Sequence, residues 1–377
     1  MRFVVAPDSF KGSLTAVEVG RVIEKALLRE MPDADVDVIP MADGGEGTVE
    51  SFLFAEEGQR IDLSATGPTG ERIPTFYGLL HDGETAVIEV AAVAGLTLVP
   101  EGKRDPLYLT TYGVGECLLH ALDQGVKRIV VGLGGSATND GGLGMLQALG
   151  VTFRDGDGKR LEPFAASLSR VQFVDYGPID PRIKEVDVRV ACDVDNPLCG
   201  PRGATHVFGP QKGLRPNQLE RVDAALASYA ERVEAHVNQA FQHHPGAGAA
   251  GGLGFAMLSI GASLESGAAL VAETVGMKER LRSADWLVTG EGKTDSQTLH
   301  GKVPYYLAKL AKECGTPTIL MSGSLAGDVE PLYDVFASMH AIPKGPMTLE
   351  ESLGQAEALI YDKARNIARL LNVQHKR

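Results

Sequence analysis

Apolar positions at the start of the chain fall first into a short run and then into a helical period. "RFVVA", Arg2 to Ala6, ends at Pro7 and predicts a buried strand. After a loop, "TAVEVGRVIEKALLREM" places Val19, Val22, Ile23, Ala26 and Leu27 on one helical face. Glu18, Arg21, Glu24, Lys25 and Arg29 take the other faces. Thr15 and Glu18 have the spacing of a capping box at its start. "DVDVIP" predicts a second strand and "MADGGEGTVESFLFAEE" a second loop and helix, so the chain opens as parallel α/β.

From Gln59 to Ala92 the pattern shortens to alternating runs, "RIDLSAT", "RIPTFYGLL" and "TAVIEVAA", separated by "GPTGE" and "HDGE". These predict antiparallel hairpins, with a domain boundary near Leu63. The middle returns to helix and strand: "TYGVGECLLHALDQG" reads as helix, "KRIVVGL" as strand and "GGLGMLQALG" as helix. "VDVRVACD" follows as strand, "PNQLERVDAALASYAERVEAHVNQAF" as a long helix and "FAMLSIG" as another. From "SADWLVTGEG" onward strand, loop and helix alternate again, ending in a helix from about Leu349 to Leu371. The two chain ends are therefore expected to form one discontinuous domain, 1–63 plus 285–377, with an α/β domain, 64–284, inserted between them.

A chain of 377 residues fits about two domains, and 44% hydrophobic with 23% charged residues is an ordinary globular mixture. Glycine, at 45 residues, is in excess and clusters with Asp, Asn, Ser and Thr, which points to loops lined by backbone. The formal charge of -13 argues against nucleic acid or an anionic membrane as partner. Four cysteines without a Cys-x-x-Cys pair read as reduced packing residues. The N-terminus lacks the apolar centre of a signal peptide, and no apolar run reaches the ~18 residues of a membrane span, so a cytoplasmic protein is expected.

Chemistry gathers in the loops. "GLGGSATNDGGLG", Gly132 to Gly144, follows a strand and precedes a helix, where amides can converge on an anion. Ser136, Thr138, Asn139 and Asp140 add donors and a carboxylate suited to a phosphate with a divalent cation; a glycine turn packing helix on strand is the plainer alternative. Gly132, Gly134 and Ala137 also satisfy the dinucleotide fingerprint, with Asp155 about 20 residues on. Gly246, Gly248 and Gly251 match the same pattern after a helix, so the match is cheap. "TGEGKTD" ends like a Walker A loop, but Leu287 stands where that motif needs glycine.

Carboxylates and lysines recur where open α/β sheets bind ligands, after strands. "PDSFKGS" carries Asp8, Ser9 and Lys11; "MADGGEGT" carries Asp43 and Glu46; "TGEGKTD" carries Glu291 and Lys293. "ACDVDNPLCG" ends a strand with Asp193 and Asp195, where Asp193 is expected to have a chemical role and Asp195 stays open. Lys212 in "FGPQKG" reads as a solvated surface lysine. Neither a zinc-type histidine spacing nor a Gly-x-Ser-x-Gly elbow occurs.

Taken in order, "PDSFKGSL", "MADGGEGT", "GLGGSATNDGG", "ACDVDNPL", "FGPQKG", "GAGAAGGLG" and "TGEGKTDSQT" with "GKVP" resemble the bacterial type I glycerate kinase family from Pro7 to Pro304. The resemblance implies a two-domain α/β kinase, with a Rossmann-like or flavodoxin-like parallel-sheet domain made from both ends. It implies ATP-dependent, Mg2+-assisted phosphorylation of D-glycerate to 2-phosphoglycerate in a cleft between the domains. On that footing Gly134, Gly135, Ser136 and Asn139 are expected at the ATP phosphates, and Asp140 or Asp43 at Mg2+. Asp193 would take the acceptor hydroxyl's proton, Lys11 and Lys293 would neutralise the phosphoryl group or grip the substrate carboxylate, and Asp8, Ser9, Asp43, Glu46 and Glu291 would line the substrate site. The other readings are a nicotinamide-dependent hydroxy-acid oxidoreductase and an organic-acid binding protein without catalysis.

Overall fold

In the computed structural model, which describes residues 1–375, the N-terminal segment supplies β1 (Arg2–Val5) and β2 (Asp35–Val38). Three strands follow: β3 (Gln59–Thr66), β4 (Arg72–Leu79) and β5 (Thr85–Glu89). The middle adds β6 (Arg128–Gly132), a small hairpin of β7 (Thr152–Arg154) and β8 (Phe173–Asp175), then β9 (Asp187–Ala191) and β10 (Ser263–Glu265). The C-terminal segment contributes β11 (Trp286–Glu291), β12 (Thr318–Ser322) and β13 (Ser338–Ala341).

The chain divides into two compact units. One comprises Met1–Asp43, Glu50–Glu57 and the described chain from Ala268 onward; the other comprises Gly44–Val49 and Gly58–Gly267. The expected boundary at Leu63 falls inside β3, which pairs along its whole length with β4 and so stays with the second unit. At the other end the helices Gly267–Thr274 and Met277–Arg282 precede the expected return at 285, and from Ala268 they belong to the first unit.

In the first unit five parallel strands are ordered β13-β12-β11-β1-β2. Counted within the unit this is the flavodoxin-like order 2-1-3-4-5, which reverses direction between β1 and β11. Alternation along β12 serves both faces of the sheet. Ile319 and Met321 join the cluster formed with Val19, Ile23, Leu27, Ile360 and Ile367 from the helices Ala16–Glu30 and Ala356–His375. Leu320 packs with Ala308 of the helix Val303–Cys314 and with Phe336. The predicted cap is present: Thr15 Oγ1 accepts the Glu18 amide at 3.2 Å, and a Glu18 carboxylate oxygen accepts the Thr15 amide at 2.8 Å.

The second unit is built on a six-stranded sheet ordered β10-β9-β6-β5-β4-β3. β5, β6, β9 and β10 run parallel, and β4 and β3 extend the sheet as the expected antiparallel hairpin. Ile88, Ile129, Val131 and Val190 enter a core with Val114, Leu118, Leu146, Leu226, Tyr229 and Phe255 from the surrounding helices. The parallel strands place the Gly132 loop and the Asp193 segment after their carboxyl ends, β6 and β9 respectively.

Candidate active site

Residues at the reversal point of the five-stranded sheet form a charged cluster. Asp8 follows β1, and its amide donates to the Gly290 carbonyl at 2.9 Å, which continues the pairing of β1 with β11. Its carboxylate accepts the Ser9 amide at 2.6 Å. Burial pushes the Asp8 carboxyl up to about 7, with the Asp43 charge adding to the effect while the Ser9 amide and Lys11 oppose it. Lys11 Nζ lies 3.6 Å from an Asp43 carboxylate oxygen, and its side chain is 79% exposed. An exposed lysine thus pairs with Asp43, and its charge also acts on the Asp8 carboxyl.

Glu291, at the end of β11, is buried and serves its own loop. One carboxylate oxygen accepts the hydroxyls of Thr294 at 2.9 Å and Thr298 at 2.8 Å; the other lies 3.4 Å from Lys302 Nζ. Those bonds fix the 292–302 segment, so Glu291 shapes the site while still acting on Asp8 through its charge. Lys293 remains exposed beside Asp295, 3.0 Å away. The structure places Asp8, Ser9 and Lys11 after β1, Asp43 after β2 and Glu291 at the end of β11, all at the carboxyl ends of one sheet's strands, with Lys293 on the loop that leaves β11.

In the second unit the glycine loop packs on protein. The Gly134 amide donates to the Gly44 carbonyl at 3.0 Å, and a Cβ on Gly134 would lie 2.4 Å from Gly45 Cα. Gly132 is equally tight, with its virtual Cβ 2.4 Å from the Gly44 carbonyl oxygen. The close approach that excludes larger residues is thus to the 44–45 backbone, which corrects the expectation that Gly134 offers its amide to a phosphate. Gly135 is exposed at the loop tip, and Ser136 beside it is 7% exposed. Asn139 is buried, donating from Nδ2 to Thr205 Oγ1 at 3.0 Å, while its Oδ1 and Thr138 Oγ1 have no partner among the described residues.

Asp140 departs furthest from expectation as a Mg2+ ligand. It is fully buried, and its carboxylate accepts the Thr111 amide at 2.9 Å, the Thr111 hydroxyl at 2.7 Å, the Gly142 amide at 3.1 Å and the Gly144 amide at 3.3 Å. With its lone pairs committed to the loop and the Thr111 turn, it ties the chain together rather than facing a metal. Burial raises its pKa against those four bonds.

Asp193, beyond β9, is exposed and accepts the Gly267 amide at 2.8 Å. Asp195 is likewise exposed and pairs with Arg202 at 2.9 Å, and Glu46 is exposed on the 44–49 segment. Lys212 overturns its expectation completely. "FGPQKG" is the end of the helix Ala204–Lys212, and Lys212 is 3% exposed with Nζ donating to Ser136 Oγ and the Thr138 carbonyl. Its signal was the helical stripe of Ala204, Thr205 and Gly209, all buried, on whose face position 212 falls.

The sequence matches the glycerate kinase family over residues 3–372. The chain belongs to that family. Among its relatives is a glycerate kinase of Haemophilus influenzae, 44% identical over 98% of this chain and 99% of that protein. A glycerate 2-kinase of Escherichia coli is 43% identical over 99% and 98%. The fold of this glycerate kinase family member also matches a crystal structure described as glycerate kinase 2 from Salmonella typhimurium, with a TM-score of 0.91, 42% identity and full coverage of both chains.

For a family of phosphotransferases the question of metal turns on the donor set. Among the described residues no group of three His, Cys, Asp or Glu side chains could hold an ion by itself. Mg2+ needs no such cage, since it commonly takes one or two carboxylates and completes its shell with phosphate oxygens and water. Asp43 fits that demand; Asp140 does not. No described helix is long and apolar enough to cross a membrane.

Proposed function

We propose that this protein transfers the terminal phosphoryl group of ATP to the C2 hydroxyl of D-glycerate, giving 2-phosphoglycerate, with Mg2+ and in the cytoplasm. The observation that carries the reading is the Asp8 cluster at the sheet's reversal point: a carboxyl poised at about 7, a second carboxylate at Asp43, and an exposed lysine at position 11. A general base works best with a pKa near the operating pH, so Asp8 suits the removal of the hydroxyl proton better than the exposed Asp193. Asp43 would hold Mg2+, which supplies neutralising charge to the phosphates when bound. Lys11 and Lys293 would neutralise the transferring group or grip the glycerate carboxylate. Gly135, the exposed tip of the glycine loop, and the buried Ser136 beside it would meet the nucleotide phosphates, with Asn139 bracing them from behind. The 2-phosphate product is favoured by the 43% identity to the Escherichia coli glycerate 2-kinase.

The oxidoreductase reading rested on the dinucleotide fingerprint, and Gly132 and Gly134 now have another cause in the 44–45 backbone. Purified protein supplied with D-glycerate should convert ATP to ADP only when Mg2+ is present, and should leave NAD+ unreduced. Reduction of NAD+, or binding of glycerate with neither nucleotide consumed, would contradict the proposal.

A further inference from the structure

Lys212 is a buried cation whose two hydrogen-bond acceptors are uncharged: Ser136 Oγ at 2.8 Å and the Thr138 carbonyl at 2.7 Å. Burial draws its pKa down to about 7, and the charge of Asp140 opposes that shift. Keeping an ammonium group in such a place is costly, and a flexible lysine would ordinarily reach for water. Instead the helix Ala204–Lys212 grips the loop at a second point, where Thr205 accepts from Asn139 at 3.0 Å. Thr205 and Lys212 lie two helical turns apart on one face.

A serine hydroxyl has one proton to donate and two lone pairs to accept with. When the Lys212 ammonium donates into Ser136 Oγ, the serine's own proton must point elsewhere, and the cationic donor polarises that O–H bond. Ser136 adjoins Gly135, the exposed tip of the loop. Thr138 Oγ1 and Asn139 Oδ1, buried in the same loop without partners among the described residues, mark a polar site whose hydrogen bonding is incomplete.

We propose that Lys212 is a positioning residue for phosphoryl transfer: by donating to Ser136 Oγ it turns that hydroxyl's proton away from itself and leaves it to be donated toward a phosphoryl oxygen of the nucleotide. The role rests on the reading of this loop as the one that meets ATP. Lys212 touches no substrate in this scheme. It acts through Ser136, and its positive charge favours the arrival of an anion at the loop.

The test is a double-mutant cycle on Lys212→Met and Ser136→Ala, with the affinity for ATP and Mg2+ measured by calorimetry and KM measured for both substrates. Each single variant should weaken nucleotide binding by about tenfold or more, the worth of a hydrogen bond to a charged group. KM for D-glycerate should stay within about twofold, and the double variant should be no worse than the weaker single one, as for two residues acting as one unit. Lys212→Gln, which keeps an N–H donor of similar reach, should recover part of the affinity; it takes the place of Lys212→Met in the cycle if the latter does not fold. Unchanged nucleotide affinity in the Lys212 variants, or effects that multiply in the double variant, would overturn the role while leaving the kinase reading intact. A wild type that binds D-glycerate but not ATP would overturn both.

Discussion

Folding removes Asp8 from water beside Asp43 and Glu291, and the upward shift on which its proposed role as base rests is also a liability for the fold. The folded protein binds a proton at Asp8 that the unfolded chain has lost between pH about 4 and about 7, so stability falls as pH rises through that window and the full penalty stands above about 7. Asp8→Asn removes the charge. In the absence of divalent cations its melting temperature should exceed that of the wild type at pH 8, and the difference should vanish towards pH 4. Its turnover should fall about 100-fold or more, whereas Asp193→Asn should cost less than about tenfold. Equal melting curves at pH 8, or the larger turnover loss in Asp193→Asn, would remove Asp8 from its place. Spacing alone picked out both carboxylates as residues after strands. It could not rank them, because the desolvation and the neighbouring charges come from segments far apart in the chain.

Among the elements, the glycine loop and the helix Ala204–Lys212 behave least as their sequences advertise. Strand, loop and helix around "GLGGSATNDGGLG" were legible from local pattern, since β6 is an apolar run and Leu143–Ala148 is helical. What the glycines serve was not legible. Their partner is the Gly44–Gly45 backbone, which no local window includes. Gly134→Ala should therefore destabilise the protein by about 1–3 kcal/mol through overpacking, read as a lower melting temperature in the absence of nucleotide. A variant with wild-type stability that had lost only its nucleotide affinity would restore the phosphate-cradle account of that residue. In "FGPQKG" the Gly-Pro pair reads as punctuation, yet Pro210 sits inside the helix and the lysine closes its buried face. Reading Lys212 as a solvated surface lysine passed over the helical stripe that marks it as buried.

At the scale of the whole chain, the alternation of strand, loop and helix at both ends predicted one discontinuous parallel-sheet unit, and its order β13-β12-β11-β1-β2 is flavodoxin-like. The order itself was beyond the sequence, for nothing in an apolar run says that β1 pairs with β11 rather than β12. Unit boundaries slipped for a related reason: β3 alternates on its own terms, and only its pairing with β4 decides which unit owns it. That order puts Asp8 and Glu291 side by side at the reversal point, where a sheet of this type binds its ligand, and so links the architecture to phosphoryl transfer onto a small hydroxy acid. The proton-coupled phosphorus NMR spectrum of the product formed from D-glycerate, ATP and Mg2+ tests that link most directly. The account predicts a new phosphate ester signal split into a doublet by the single proton on C2. A triplet from the two protons of C3, or a mixture in which ATP stays intact and no ester appears, would contradict it.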